Sequence, residues 1–157
     1  MLKIISTIVL CLLGSALMGS PAIADKKLSR LYAVSSTNPA VDSAFVKAYT
    51  QDYFHDIPVM IAIIECESGF RQYEADGRLL MSPVKGSSAS GAAQILYITH
   101  KTDWSDDPDT NITTLAGNLA YARKMYMESG TSPWNESASC WKKRIHKYKL
   151  RVADATS

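Results

Sequence analysis

One glutamate draws attention because it lies at the end of an apolar stretch. Glu67 belongs to the tetrapeptide 66–69, Cys-Glu-Ser-Gly, which follows the apolar run 59–64. A carboxyl group at the edge of an apolar core is costly unless it is paired, neutralised or used in chemistry. Neighbours such as Ile63 and Ile64 would desolvate it, raise its pKa and keep it protonated near neutral pH, as a general acid requires.

Glu65 is the competing carboxylate. It precedes Glu67 by two residues, which is about 200° around a helix, so both side chains cannot point into the same cleft. We therefore expect one of the two to be solvated or paired with a nearby Lys or Arg. For Glu67 itself, the alternative to catalysis is an exposed glutamate at a helix end.

Two helices are expected to lead up to this site. Asn38 as cap and Pro39 in the first helical position begin the first helix. Residues 59–69 form the second, which is apolar nearly all round and should be the central, buried helix. The apolar face of the first helix is predicted to consist of Val41, Ala44, Phe45 and Ala48.

Helical periodicity fails between residues 70 and 90. Asp76-Gly77 is a hairpin turn signal inside 73–80, so a small two-stranded excursion is expected there. The Gly/Ser/Ala-rich stretch 86–91 is predicted to be a flexible loop, and residues 91–95 to open a short third helix.

The longest helix is predicted over 111–129, ended by Gly130. A further helical turn from 132 to 134 leads to Cys140-Trp141. The predicted fold is therefore mainly α, one domain over 38–141 with a small β-hairpin excursion. The inward face of the long helix is expected to contain Ile112, Leu115, Ala116, Leu119, Ala122 and Tyr126.

The first 24 residues have the composition of a secretory signal peptide. Lys3 precedes the apolar run 4–13, and Ala-Ile-Ala at 22–24 supplies an A-x-A cleavage site. An uncleaved anchor helix is the alternative, but the apolar run is shorter than the ~20 residues that span a bilayer. Residues 25–37 are expected to be a flexible leader. The protein is thus expected to be exported, to the periplasm or outside the cell.

Charge excludes one class of partner. The chain has 157 residues with 17 basic and 15 acidic side chains, and this near-balance argues against a nucleic-acid-binding protein. The tail 142–157 is basic, with six Lys or Arg between 142 and 151. Such a tail is usually a solvated end, although it also suits anionic wall polymers or a membrane surface.

Two cysteines are expected to form a disulfide. Cleavage of the signal peptide removes Cys11 and leaves Cys66 and Cys140, an even pair in an exported protein. The bridge would close a loop of about 75 residues and stabilise the fold by on the order of 4 kcal/mol. It would also tie the residue beside Glu67 to the far end of the domain.

Neither a metal nor another cofactor is expected. Asp107-x-Asp109-x-Asn111 looks like the start of a calcium loop, but Ile112 stands where glycine is needed. The twelfth position is Asn118 instead of glutamate. Helix capping by Asn111 is the better account.

Two short motifs together resemble the catalytic domain of soluble lytic transglycosylases. Those domains carry Glu-Ser at the end of a buried helix and then a Gly-x-x-Gln-Ile segment; here 64–70 reads Ile-Glu-Cys-Glu-Ser-Gly-Phe and 91–95 reads Gly-Ala-Ala-Gln-Ile. A cysteine directly before the glutamate, bridged to a late cysteine that follows a tryptophan, is similar to the resuscitation-promoting factors. Trp134 and Cys140 fit that ending. The resemblance spans roughly residues 58–141.

The resemblance implies a lysozyme-like fold and a set of site residues. Glu67 would be the acid/base residue, and Ser68 and Gln94 would line the substrate cleft, with Ser68 hydrogen-bonding near the glutamate. The late Ala-Tyr-Asn segment of many transglycosylases is missing, which leaves Tyr97 and Tyr121 as candidates for the tyrosine partner. The bulky Leu-Met pair usual before the glutamine is Ala-Ala here, and the 70–90 insertion is longer than in the simplest members.

Aromatic and imidazole side chains give weaker signals. Trp104, Trp134 and Trp141 could stack on sugar rings, but tryptophan is more often part of the core. Trp134 is kept as a substrate-binding candidate. His100 and His146 are isolated in the sequence and are expected at the surface.

The function that the resemblance implies is cleavage of the MurNAc–GlcNAc β-1,4 bond of peptidoglycan by transglycosylation. One carboxylate suffices for this reaction, whereas hydrolytic glycosidases usually need two. The expected partner is the glycan strand, bound by a monomer. The alternatives are a hydrolytic muramidase of the same fold, a non-catalytic glycan-binding module, and a disulfide-tied interaction protein guided by its basic tail.

Overall fold

The computed structural model describes residues 39–104 and 107–149. This part of the chain is mainly helical with one small antiparallel pair of strands, which confirms the predicted fold class. The predicted signal peptide (1–24), the leader (25–37) and the cap at Asn38 lie outside the described residues. Within the described ranges, no helix has the length and apolar character needed to cross a membrane.

The elements follow one another with short connections. In chain order they are a 3-10 turn Pro39–Val41, α1 Ser43–Tyr53, α2 Pro58–Ser68, β1 Ala89–Ser90, β2 Ile95–Leu96, α3 Lys101–Trp104, a 3-10 turn Pro108–Thr110, α4 Leu115–Ser129, a 3-10 segment Ser132–Ser137 and α5 Ala138–Arg144.

Helix α2 is the central element, as predicted. Five consecutive residues, 60–64, are buried, and four of them have no exposed surface. Burial of each Met or Ile side chain among them stabilises the fold by roughly 1.5–3 kcal/mol. Pro58 occupies the first turn, where its missing N–H costs nothing. Gly69 ends the helix in the left-handed conformation (φ 63°).

Helix α1 begins later than the sequence predicts. Residues 39–41 form a separate 3-10 turn, and Asp42 caps α1 by accepting a hydrogen bond from the Ala44 backbone N–H at 2.8 Å. Because α1 starts anew after the 3-10 turn, the face that it turns towards the core differs from the predicted one. Val46 and Thr50 are fully buried, whereas Ala44 and Ala48 of the predicted face are exposed.

The predicted hairpin is present only in part, and its ladder lies further along the chain. A single antiparallel bridge joins Tyr73 to Leu79 around the predicted turn at 76–77. The two-stranded sheet pairs Ala89 with Leu96 and Ser90 with Ile95. The stretch 86–91 thus contains strand β1 as well as loop.

The predicted third helix at 91–95 is wrong. Residues 91–94 form the turn between β1 and β2, and Ile95 belongs to β2. The physical reason is that distant side chains bind the backbone of this turn. The N–H of Ala92 donates to Gln72 Oε1, and that of Ala93 to Asn118 Oδ1, both at 2.9 Å.

Helix α4 begins at Leu115, four residues after the predicted start. Thr114 is its cap, and its hydroxyl accepts the Gly117 N–H at 3.1 Å. Asn111, the predicted cap, instead accepts the Thr113 N–H at 3.0 Å in the preceding turn. The helix ends before Gly130, as predicted.

The inward face of α4 also differs at four positions. Ala116 is exposed and Tyr126 is only half-buried, whereas the polar side chains of Asn118 and Tyr121 are buried. The prediction was made from the spacing of apolar residues. It therefore misses buried positions whose side chains form hydrogen bonds.

The C-terminal segment is clamped to the end of α2. Cys66 and Cys140 form the predicted disulfide, with their Cα atoms 6.0 Å apart. Packing continues past Trp141, because Tyr148 is buried and its hydroxyl donates to Glu65 at 2.9 Å. Part of the basic tail therefore belongs to the packed domain.

Removing the disulfide tests how much this clamp stabilises the fold. We expect the double variant Cys66→Ser/Cys140→Ser to lose roughly 2–5 kcal/mol of unfolding free energy, because the unfolded chain is no longer cross-linked. Urea unfolding of the variant beside oxidised and reduced wild type measures this. Reduced wild type should match the variant; an unchanged urea midpoint in both would show that the bridge is not stabilising.

Candidate functional site

Glu67 lies in the last turn of α2 and is half-buried. The Ser137 hydroxyl donates a hydrogen bond to its Oε1 at 2.5 Å. Burial raises the pKa of Glu67 above its ordinary value, and the Ser137 hydrogen bond opposes this without cancelling it. Within the described residues, no Lys or Arg forms an ion pair with it. A proton is thus retained to higher pH than on an ordinary glutamate.

Glu65 has the opposite environment. Its carboxylate is 2.7 Å from Arg144 and 3.5 Å from Lys147, and it accepts the Tyr148 hydroxyl. Burial alone would raise the pKa of Glu65, but the Tyr148 hydrogen bond and the two positive charges outweigh it and lower the pKa. The prediction that one carboxylate of the pair is neutralised by basic residues is confirmed.

Ser68 is placed on the backbone at the end of α2. Its hydroxyl donates to the Ile64 carbonyl and accepts the Arg71 N–H, both at 3.2 Å, and the residue is buried. The hydroxyl that contacts the carboxylate of Glu67 is that of Ser137 instead. Ser68 therefore supports the chain reversal that follows Glu67.

Gln94 closes the turn between the two strands. Its side chain donates to the Gly91 carbonyl at 3.0 Å, and its backbone is left-handed, with φ 51°. Of the described non-glycine residues, only Gln94 and Phe70 have positive φ. Such conformations cost on the order of 1–3 kcal/mol each and cluster at functional sites. Phe70 and Gln94 lie in the two sequence motifs singled out above.

A cavity of about 320 Å³ lies beside this turn. It includes two of the predicted substrate-binding residues, Gln94 and Trp134; Glu67, Ser68, Tyr97 and Tyr121 are not part of its wall. The described residues that line it are Gln94, Ile95, Leu96, His100, Met125, Glu128, Ser129, Pro133 and Trp134.

Trp134 connects this cavity to Glu67. The indole N–H donates to the Ala93 carbonyl at 2.9 Å, and the backbone carbonyl of Trp134 lies 3.2 Å from the Ser137 hydroxyl oxygen, whose one proton has its shorter contact with Glu67. Only 4% of Trp134 is exposed, so it is part of the core, like Trp104 and Trp141. With so little exposed surface, Trp134 has little ring area on which a ligand could stack.

The two candidate tyrosines have different surroundings. Tyr97 is half-buried, and its ring centroid lies 5.0 Å from that of Trp104. Tyr121 is 3% exposed, and its hydroxyl lies 3.0 Å from His100 Nδ1 and 3.1 Å from Asp103 Oδ2. Burial, together with the negative charge of Asp103, raises the pKa of Tyr121 to about 12. Tyr121 is thus hydrogen-bonded to His100, a residue of the cavity wall.

Sequence reasoning missed Ser137, His100 and Glu128. Ser137 is 70 residues from Glu67, and nothing in its local sequence indicates the contact. His100, expected at the surface, is half-buried; the i, i+3 spacing to Asp103 on a helical turn was the available signal. Within the described ranges, no three His, Cys, Asp or Glu side chains are grouped to hold a metal ion.

Two fully buried amide side chains position the turn that carries Gln94. Gln72 accepts the Ala92 N–H and donates to the Ile112 carbonyl at 3.1 Å. Asn118 accepts the Ala93 N–H and donates to the carbonyls of Ile112 and Ser90. These bonds satisfy backbone groups that would otherwise be buried without partners.

Comparison of the sequence with protein-family models, with curated proteins and with solved structures finds no match. The resemblance to lytic transglycosylases therefore depends on the two motifs and the cysteine spacing.

The amide pair makes Gly91 a sensitive position. A Cβ there would collide with the Asn118 side chain and lie 2.8 Å from Gln72 Oε1, whereas a Cβ at Gly69 meets nothing within 4 Å. Both glycines have positive φ, 70° and 63°, so backbone strain is similar. We expect Gly91→Ala to lower the unfolding free energy by roughly 1–3 kcal/mol more than Gly69→Ala. Denaturant unfolding of both variants checks this; equal losses would contradict the packing around Gly91.

The two glutamates should affect stability in opposite directions with pH. The raised pKa of Glu67 means that wild type becomes less stable, relative to Glu67→Gln, as pH rises above the ordinary value of 4.5 and through the raised pKa. The lowered pKa of Glu65 means that wild type is more stable than Glu65→Gln at a pH above 4.5. This difference in stability is lost as pH falls through the pKa of Glu65 in the folded state. Urea unfolding of the three proteins between pH 3 and 8 measures both trends. The same sign for both variants would contradict the assigned environments.

Proposed function

We propose that this protein is a lytic transglycosylase that cleaves the MurNAc–GlcNAc β-1,4 bond of peptidoglycan with Glu67 as its single acid/base residue. The observation that carries the proposal is the environment of Glu67. It is a half-buried carboxyl at the end of a buried helix, with a raised pKa, a hydroxyl donor and no described ion-pair partner. A general acid that works near neutral pH needs such an environment.

The Ser137 hydrogen bond gives the two carboxyl oxygens of Glu67 different roles. The single Ser137 hydroxyl proton has two acceptors in reach, Glu67 Oε1 at 2.5 Å and the Trp134 carbonyl at 3.2 Å. With that proton in the shorter contact, Oε1 accepts, and the proton of the acid form resides on Oε2, the oxygen left for a substrate. In the first step Glu67 gives this proton to the glycosidic oxygen, while the acetamido group of the substrate assists departure at C1. The Ser137 hydroxyl then stabilises the carboxylate that forms.

The second step returns the proton. The Glu67 carboxylate removes the proton of the 6-hydroxyl of the same MurNAc unit while that oxygen attacks C1. The product is a 1,6-anhydro-muramyl end, no water is added, and Glu67 is protonated again. A cycle of this kind requires a pKa that permits both forms. Burial raises the pKa of Glu67, which favours the acid form, and the Ser137 hydrogen bond partly offsets this by stabilising the carboxylate.

The second motif supports the same function. Gln94 has a left-handed backbone, is held by buried amides, and borders a cavity that Trp134 connects to Glu67 through Ser137. Strained backbone held by surrounding structure is a feature of ligand sites. The Cys66–Cys140 disulfide is compatible with the export that access to a cell wall requires.

A hydrolytic muramidase is the second candidate, and one observation favours it. Glu128 lines the cavity that Gln94 borders, and a hydrolytic glycosidase usually has a second carboxylate across the cleft. The products separate the two reactions, because hydrolysis yields reducing ends whereas transglycosylation yields anhydro ends that lack one water.

The decisive experiment is digestion of purified sacculi by wild type, Glu67→Gln and the matched control Glu65→Gln. We expect Glu67→Gln to lose about 10²–10⁴-fold in rate, because the general acid is gone while the shape is kept. Glu65→Gln should retain most of its activity, since Glu65 pairs with Arg144. Mass spectrometry of the released fragments should show anhydro-muramyl ends.

Three outcomes would change the proposal. Reducing ends would replace the transglycosylase with the muramidase. Undiminished digestion by Glu67→Gln would remove Glu67 as the acid. Binding of sacculi with no digestion by wild type would favour a non-catalytic glycan-binding module.

A further inference from the structure

One cluster of polar side chains next to the cavity has no part in the chemistry of Glu67. His100 lines the cavity, and its Nδ1 lies 3.0 Å from the Tyr121 hydroxyl. The same hydroxyl lies 3.1 Å from Asp103 Oδ2. His100 and Asp103 are also 3.6 Å apart at their nearest N and O atoms, beyond hydrogen-bond distance. Tyr121 therefore stands between the imidazole and the carboxylate.

The positions of the protons on His100, Tyr121 and Asp103 follow from how many hydrogen-bond donors each group has. The Tyr121 hydrogen bond lowers the pKa of Asp103, so its carboxylate is ionised and only accepts. The single Tyr121 proton must then point to Asp103, because two oxygens at 3.1 Å without a proton between them would repel. The tyrosine oxygen is left to accept, so His100 Nδ1 must carry a proton and donate to it.

This assignment fixes the tautomer of His100. A neutral imidazole has one N–H and one lone pair, so a proton on Nδ1 leaves Nε2 as an acceptor. The Nδ1 edge of the ring faces Tyr121, and the residue as a whole lines the cavity. Among the described residues, none donates to Nε2 within hydrogen-bond distance.

The other walls of the cavity favour a ligand with both apolar faces and hydroxyl groups. Apolar side chains contribute part of the wall, including Leu96, which is 42% exposed. Gln94, Ser129 and Glu128 supply polar groups. None of the described lining residues is a Lys or Arg, which disfavours a phosphate or another anion. A sugar has this combination of C–H faces and hydroxyls, and the volume lies at the low end of small-ligand pockets.

We propose that this cavity is a sugar-binding pocket in which His100 Nε2 accepts a hydrogen bond from a sugar hydroxyl, and that Tyr121 and Asp103 are positioning residues that hold His100 in the Nδ1–H tautomer. The choice of N-acetylated glycan as the sugar rests on the proposed function. The pocket binds one saccharide unit of the strand, and Glu67 is not part of its wall.

The tautomer is tested first, by long-range ¹H–¹⁵N NMR correlations of the imidazole in uniformly ¹⁵N-labelled protein. We expect His100 to be Nδ1–H in wild type. In Tyr121→Phe the acceptor is gone, and we expect the proton to move to Nε2, the tautomer that a free imidazole prefers in water. Tyr126→Phe, on the same helix, is the matched control and should leave His100 unchanged. An Nε2–H tautomer in wild type overturns the proposal without any variant.

Binding is tested with the β-1,4-linked tetramer of N-acetylglucosamine, titrated into Glu67→Gln so that no cleavage occurs. We expect the His100 ring signals to shift on addition of the tetramer. His100→Phe, which keeps a ring but lacks the acceptor, should bind roughly 2- to 10-fold more weakly, as expected for one hydrogen bond. Tyr121→Phe should weaken binding similarly, and Tyr126→Phe should not.

The outcomes separate this inference from the proposed function. Unshifted His100 signals at saturating tetramer, or equal affinity in His100→Phe, would overturn the pocket while leaving Glu67 as the acid. Tetramer binding at His100 together with undiminished sacculus digestion by Glu67→Gln would overturn the proposed mechanism and leave the pocket in place.

Discussion

The site depends on one pair of buried amides. Gln72 and Asn118 bind the backbone of the turn 91–94, and the Ala93 carbonyl of that turn accepts the Trp134 indole N–H. The Ser137 hydroxyl oxygen, which contacts Glu67 at 2.5 Å, lies 3.2 Å from the Trp134 carbonyl. A continuous series of polar contacts thus runs from the amide pair to the proposed acid. Because a half-satisfied buried network is costly, each member constrains the next, and loss of one amide would propagate to Ser137.

Two carboxylates on one helical turn acquire opposite properties from their surroundings. Arg144 and Lys147 lie against Glu65 and lower its pKa, whereas Glu67 meets only the Ser137 hydroxyl, and burial raises its pKa. Groups whose environments drive their pKa values apart are typical of acid/base sites. The basic residues that neutralise Glu65 come from the segment attached by the disulfide. The basic residues of this segment therefore lower the pKa of Glu65 and leave that of Glu67 raised.

The features that could be predicted from the sequence were those with local causes. The apolar run 59–64 with Gly69 behind it was enough to place α2, and an even cysteine count gave the disulfide. The turn 91–94 could not be placed, because the partners of its N–H groups are 20 and 25 residues away. Local propensity favoured a helix there, and tertiary hydrogen bonds prevailed. The contact between Ser137 and Glu67 was hidden for the same reason.

The disulfide has a geometric consequence beyond stability. Cys66 adjoins Glu67, and Cys140 lies three residues after Ser137, so the bridge fixes the backbone on both sides of the Ser137–Glu67 hydrogen bond. A hydrogen bond that tunes a carboxyl group is effective only if donor and acceptor are held at a constant separation. The disulfide also reduces the entropic cost of this hydrogen bond. Without it, the segment around Ser137 would have more conformational freedom to lose, and water could replace the serine hydroxyl; with Cys140 bonded three residues away, the segment cannot move far. The bridge therefore acts on the acidity of Glu67 through Ser137.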